Sequence, residues 1–130
     1  MRNSRFKRAA LTVAAVLALS SAPACAAPIK ILAFGTSLTQ GYGLPPGTEY
    51  TTVLQEKLKA AGVDAKIINP GVSGDTSADG LSRLDWSLAD KPLAAIVEIG
   101  SNDALRCLAT EQTGKSLSGI LSKLKAAHVA

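Results

Sequence analysis

Ser37 is the residue whose type and position most directly suggest chemistry. Only Gly35 and Thr36 separate it from the apolar run 29–34, which has the composition of a buried strand. A serine held just beyond a buried strand lies where a ligand can reach its hydroxyl, which is the placement that a nucleophile requires. Serine and threonine also stabilise ordinary turns by bonding nearby backbone groups. This segment alone leaves both interpretations open.

Two further polar loops follow apolar runs later in the chain. Gly74 lies in a loop rich in glycine and serine after the run 65–68, and Asn102 lies in a short polar loop after the run 93–99. Each residue also has a structural explanation, because glycine permits tight turns and asparagine often caps helices.

Hydrophobic periodicity predicts three strands that alternate with three helices. The predicted strands are 29–34, 65–68 and 93–99, and the predicted helices are 48–61, 77–88 and 111–127. Thr48 is the expected cap of the first helix, whose predicted apolar face contains Tyr50, Val53, Leu54, Leu58 and Ala61. The strands are continuous apolar runs, which indicates a parallel sheet with both faces covered.

The predicted βαβαβα order brings the three polar loops to one place. Right-handed crossovers make the strands parallel, so every strand-to-helix loop lies at the carboxyl edge of the sheet, where ligands bind in open α/β folds. Ser37, Gly74 and Asn102 then form one candidate site on a single α/β domain, 27–130.

Residues 1–26 have the composition of a signal peptide. Four basic residues precede the apolar stretch 9–19, and Ala24-Cys25-Ala26 fits a signal-peptidase site. We expect cleavage after Ala26 and a periplasmic or secreted bacterial protein with no stable membrane association. An uncleaved N-terminal anchor is the alternative.

Charge and cysteine content argue against several classes of protein. The formal net charge is +4, but residues 27–130 contain equal numbers of basic and acidic side chains. The mature chain therefore offers no electrostatic support for binding nucleic acid. Cys107 would be its single cysteine, so no internal disulfide is expected. No cluster has the spacing of metal ligands, and we expect neither a metal nor a cofactor.

Three segments resemble the sequence blocks of the GDSL esterases, also called SGNH hydrolases. They are Phe34-Gly-Thr-Ser-Leu-Thr39, Asn69-Pro-Gly-Val-Ser-Gly-Asp-Thr76 and Gly100-Ser-Asn-Asp103. The blocks occur in the family's order, and each follows a predicted strand. The segment 71–86 further resembles the exported arylesterase and thioesterase I branch.

The resemblance implies a fold and a set of residue roles. The fold would be a flavodoxin-like three-layer α/β/α arrangement, the SGNH hydrolase fold, with strand order 2-1-3-4-5. Ser37 would attack the acyl carbonyl of a small acyl or aryl ester or thioester. The N–H groups of Ser37 and Gly74 and the side-chain amide of Asn102 would hold the oxyanion, and such a donor is worth about 3–4 kcal/mol.

The sequence also departs from the family pattern. Thr36 replaces the usual aspartate, and the Asp-x-x-His block that supplies the base is absent. We therefore expect a C-terminally truncated hydrolase domain. His128 follows Lys125 rather than an aspartate at that spacing, and we expect it to be structural and to lie on the apolar side of the last helix. Glu98, at the end of the third strand, is also expected to be structural.

Two functions remain open at this point. The first is a serine ester hydrolase that lacks the Asp-His part of its triad, and the second is a non-catalytic remnant of the same fold that binds acyl or ester ligands. Truncation would leave the strand 93–99 at the edge of the sheet with Glu98 as its only charge. Because such edges favour pairing with another chain, self-association is expected.

Overall fold

The computed structural model describes residues 27–130, so the predicted signal peptide, 1–26, lies outside the described residues. Eight elements follow in order: β1 (Ile29–Gly35), α1 (Ser37–Gln40), α2 (Tyr50–Ala60), β2 (Ala65–Ile68), α3 (Ser77–Leu88), β3 (Ala94–Glu98), α4 (Ser101–Leu105) and α5 (Thr110–Ala126). The three strands and three longer helices match the predicted ones to within two residues at each end. The short helices α1 and α4 occupy segments that were predicted as loops.

The three strands form a parallel sheet in the order β2-β1-β3. Ile29 pairs with Ala65 on one side of β1, and Gly35 pairs with Glu98 on the other. The central position of β1 places the Ser37 segment between the ends of the two outer strands. The prediction of a parallel α/β sheet is confirmed, and its strand order matches the first three strands of the expected flavodoxin-like arrangement.

One face of the sheet packs against α3 and α5 and holds the apolar core. Its fully or nearly fully buried side chains are Leu32, Phe34, Leu84, Ile120 and Leu124. Leu32 and Phe34 are two residues apart, so the pleat points both to the same face. Burying each large apolar side chain contributes about 1.5–3 kcal/mol.

The other face is covered less completely than the sequence predicts. Right-handed crossovers in opposite directions place α2 and α3 on opposite faces, and α2 packs beside β2. On β3, Ile96 remains 38% exposed, so the prediction that both faces are covered is wrong there. In the described part of the chain, β3 packs mainly beside β1 rather than under a helix, which fits the exposure of Ile96.

The inward side of α2 agrees only in part with the prediction: Leu54 and Leu58 are half-buried, but Tyr50 and Ala61 are exposed. Val53 is 39% exposed, whereas Thr51 is buried. The N-cap is Glu49 rather than Thr48, whose hydroxyl instead donates to the Pro45 carbonyl at 2.7 Å. Polar side chains on the inward side of α2 bond the rim of the sheet, which apolar periodicity does not detect.

Both outer strands have hydrogen-bonding partners along part of their outer edges. The Gln55 side chain donates to Ala65 O at 2.6 Å and accepts from Ile67 N at 2.8 Å, as a neighbouring strand would. On the other edge, Ala130 N donates to Leu93 O at 3.0 Å and Ala130 O accepts from Ala95 N at 2.8 Å. The edge of β3 is therefore partly paired.

Candidate active site

Ser37 is the first residue of α1, directly beyond the carboxyl end of β1. Its side chain is half-buried, between the buried Thr36 and the exposed Leu38. The first N–H groups of a helix have no partner within it, and the Ser37 N–H and hydroxyl donate to no group within residues 27–130. Gly41 caps the C-terminal end of α1, and its φ of 87° is left-handed. The serine thus sits on a short helix, with two unused donors, rather than in an open loop.

The loop that contains Gly74 is bonded directly to the Ser37 segment. Val72 N donates to Gly35 O at 3.1 Å, and Ser73 N donates to Gln40 Oε1 at 2.8 Å. Gly74 has a φ of 89°, which explains why a glycine stands there. Its N–H donates to no acceptor among the described residues.

Asn102 lies in α4 and is fixed to the same loop. Its Nδ2 donates to Asp75 O at 2.8 Å, next to Gly74. A carboxamide nitrogen carries two hydrogens, so this bond orients the amide and leaves one N–H free to bind another oxygen. Arg106 Nη2 adds a second link by donating to Gly74 O at 2.7 Å.

Asp103, beside Asn102, anchors α4 to the start of α3. It is 3% exposed, and its carboxylate accepts from Ser77 N at 2.7 Å, Ser77 Oγ at 2.5 Å and Thr113 Oγ1 at 3.1 Å. Burial acts to raise the pKa of Asp103, but the hydrogen bonds from Ser77 and Thr113 together outweigh it and hold the pKa below its ordinary value. The ionised form therefore fixes Asn102 relative to α3.

Arg83 joins the carboxyl end of β1 to the loop that follows β2. Its guanidinium donates to Gly35 O at 3.0 Å, to Pro70 O at 2.8 Å and to Asp75 Oδ2 at 2.5 Å. It also lies over the Phe34 ring, with 4.4 Å between Cζ and the ring centroid. One side chain therefore joins the first two loops and the core.

The structure brings together the loops of Ser37, Gly74 and Asn102 but leaves His128 away from them. His128 follows the end of α5, with a φ of 56°, and is exposed, so its predicted place on the apolar side of the helix is wrong. Val129 N donates to Leu124 O and His128 N to Lys125 O, both at 3.0 Å. This is the Schellman pattern that ends a helix.

Residues 27–130 contain no cluster of three or more histidine, cysteine or acidic side chains able to hold a metal ion. In the same range, no helix is long and apolar enough to cross a bilayer. Cys107 is a free, exposed thiol. A groove of about 420 Å³ lies beside α2, lined by residues that include Gln55 and Ile67, on a different part of the surface from Ser37.

Sequence reasoning missed most of the side chains that hold the site together. The family-like blocks include Asp75 and Asp103, and the segment 71–86 includes Arg83, but no local pattern predicts a structural role for any of them. Their only local signal is a charged side chain, in a polar segment for Asp75 and Asp103 and in the middle of α3 for Arg83. That signal occurs equally on solvated surfaces, so it could not identify partners across the fold.

The family model for the GDSL-like lipase/acylhydrolase family matches residues 33–130, a span that contains all three loops. The chain belongs to this family. Within it, Esterase TesA of Pseudomonas aeruginosa is 36% identical over 118 residues, which cover 90% of this chain and 59% of that protein. An arylesterase of Vibrio mimicus is 35% identical over 97 residues, which cover 74% of this chain and 48% of that protein.

Solved structures of GDSL-family relatives share the fold. AlinE4, an SGNH-hydrolase family esterase, is 49% identical with a TM-score of 0.73, and the match covers 76% of this chain and 54% of AlinE4. Two other AlinE4 structures carry alanine in place of an aspartate or a serine. The chain thus spans about half to three fifths of the length of these relatives.

Proposed function

We propose that this chain is the serine-bearing part of a hydrolase for small acyl or aryl esters or thioesters. The observation that carries the proposal is the bond from Asn102 Nδ2 to Asp75 O, which fixes an amide donor beside Gly74. The Gly74 loop is in turn bonded to the Ser37 segment. The names of the esterase relatives support the same reaction class.

In the proposed reaction, Ser37 Oγ attacks the acyl carbon and forms an acyl-enzyme. The carbonyl oxygen becomes an oxyanion, which the Ser37 N–H, the Gly74 N–H and the free N–H of Asn102 stabilise. The serine proton passes to a base and then to the leaving alcohol or thiol. Water attacks the acyl-enzyme in the second half of the reaction and releases the acid.

The base is the group that residues 27–130 do not supply in this proposal. The single histidine in this range, His128, is exposed after the end of α5. Glu98 is engaged by Thr36 and Thr39. We place the Asp-His part of the triad in sequence beyond Ala130, as the resemblance implies.

A non-catalytic protein that binds acyl or ester ligands is the second candidate, and the position of His128 favours it for the 130-residue chain alone.

A fusion protein tests the proposal. Residues 27–130 are joined to the part of AlinE4 that lies C-terminal to the matched region, and hydrolysis of p-nitrophenyl acetate is measured for the fusion and for residues 27–130 alone. Serine enzymes that lack a triad member retain about 10³–10⁴-fold acceleration over water. We expect that residual level from residues 27–130 and full turnover from the fusion.

Two results would contradict this proposal. A folded fusion that binds a phosphonate ester at the site but does not hydrolyse esters would favour the non-catalytic function. Robust turnover by residues 27–130 that His128→Ala abolishes would identify His128 as the base.

Export is a further part of the proposal. Cleavage after Ala26 would give a mature N-terminus at Ala27 in the periplasm or medium, which N-terminal sequencing reads directly. An intact Met1 in the membrane fraction would instead indicate an anchor. For the exported chain, light scattering would detect the proposed self-association through the exposed part of β3.

A further inference from the structure

The Glu98 carboxylate contacts the backbone and side chains on both sides of Ser37. Its Oε2 accepts from Thr36 N and from Thr39 Oγ1, both at 3.1 Å. Both carboxylate oxygens also lie 3.2 Å from Thr36 Oγ1. Thr36 and Thr39 are completely buried and Glu98 is half-buried, so these bonds are partly shielded from water. One carboxylate on β3 therefore binds the residues that bracket Ser37 on α1.

Helix α1 is held by bonds from other parts of the chain. Asn69 Nδ2 donates to Thr39 O at 2.7 Å. Ser73 N donates to Gln40 Oε1 at 2.8 Å, so both of these bonds are in the C-terminal half of the helix.

Helix α1 contains four residues, and Thr36 at its N-cap makes no side-chain capping bond. A threonine at this position normally accepts from an N–H in the first turn, but here its hydroxyl donates to Glu98. Isolated helices of one turn are unstable in water. Among the bonds to α1, those of Glu98 are the ones that reach its N-cap, Thr36, directly before Ser37.

The close packing around this contact leaves no room for a side chain at position 35. Gly35 pairs with Glu98 across the sheet. A Cβ built at Gly35 would lie 2.0 Å from Thr39 Oγ1 and 2.8 Å from Glu98 O. The hydroxyls of Thr39 and Tyr50 are 3.3 Å apart, which connects the cluster to α2. The close packing of β1, β3 and α1 at this point directs the carboxylate onto Thr36 and Thr39.

We propose that Glu98 is a positioning residue for Ser37: it fixes the N-terminal turn of α1 so that the serine hydroxyl and N–H hold their reactive placement. The inference rests on the proposed function, because it assigns Glu98 to the same reaction. Glu98 takes no proton from Ser37 in this role, because its carboxylate bonds Thr36 and Thr39.

The test uses the fusion protein and a pair of substitutions at one position. Glu98→Ala removes the acceptor, whereas Glu98→Gln keeps an oxygen for Thr36 N and an amide that can bond the threonine hydroxyls. A misplacement of about 1 Å can cost about 10²-fold in rate. We expect Glu98→Ala to lower kcat by about this factor with little change in KM, and Glu98→Gln to restore most of the kcat.

Two controls separate positioning from general stability. Glu111→Ala removes an exposed ion pair with Lys115 and should leave kcat unchanged. Hydrogen exchange of residues 27–130 should show faster exchange in α1 for Glu98→Ala, with α3 and α5 unaffected. If Glu98→Ala does not fold, Thr39→Val removes one of the donors, and a several-fold fall in kcat at unchanged KM supports the inference.

The inference and the proposed function fail in different ways. A folded Glu98→Ala variant with the parent kcat, in a fusion that Ser37→Ala inactivates, would overturn the positioning role alone. A Ser37→Ala fusion that remains active would overturn the proposed function.

Discussion

The apolar face of the sheet and its carboxyl edge are organised by different forces. On the face, Leu32 and Phe34 pack against Leu84 and helix α5, and the contacts are non-directional. At the edge, hydrogen bonds and buried carboxylates set the position of each loop, as the bonds of Asp103 illustrate. Burial therefore fixes where the strands lie, whereas directional polar bonds fix where the reactive groups lie.

Leu84→Ala should produce the largest effect on the apolar face. Leu84 is completely buried against the core of β1 and α5. Truncating a buried leucine to alanine costs about 2–5 kcal/mol, because it loses contacts and leaves a cavity. Urea unfolding of residues 27–130 measures this change. Leu105→Ala is the matched control, because Leu105 is 81% exposed. Equal costs for the two variants would contradict the assigned core.

At the carboxyl edge, Asn102→Ala should lower catalysis rather than mainly lower stability. In the active fusion we expect kcat to fall by about 10²–10³-fold while KM changes little, because an oxyanion donor acts mainly in the transition state. Ser101→Ala, at the exposed neighbouring position, should leave kcat unchanged. A purely structural Asn102 would instead lower thermal stability and preserve kcat per folded molecule.

Acid should weaken the carboxyl edge through its carboxylates. The folded pKa of Asp103 is held below its ordinary value, so its stabilisation is present above the unfolded value, about 3.9, and is lost as pH falls through the lower folded pKa. Asp79, whose pKa is lowered mainly by the bond from the Thr76 hydroxyl, contributes in the same direction.

Asp103→Asn isolates this contribution. Losing one charged hydrogen-bond acceptor costs about 1–3 kcal/mol at neutral pH, and the variant should show a smaller fall in the free energy of unfolding between neutral pH and pH 3. Asp85→Asn, at an exposed ion pair with Lys123, is the control. Parallel pH curves for the parent and Asp103→Asn would show that Asp103 is not held in its ionised form by these bonds.

The contrast between face and edge also explains what the sequence could predict. The strands, the longer helices and their order follow from apolar periodicity. Helix α1 was missed because a carboxylate 59 residues beyond Thr39 stabilises it, not its own propensity. The polar part of the inward side of α2 could not be predicted, because Gln55 bonds the distant β2 edge. Local sequence does not encode such distant polar pairs.

The most direct test of the account is Ser37→Ala in the fusion with the C-terminal part of AlinE4. We expect hydrolysis of p-nitrophenyl acetate to fall by about 10⁶-fold, as it does when a serine nucleophile is removed. Thermal unfolding should remain unchanged, because the half-buried Ser37 hydroxyl bonds no group within residues 27–130. Turnover at the parent rate by a folded Ser37→Ala fusion would contradict the account.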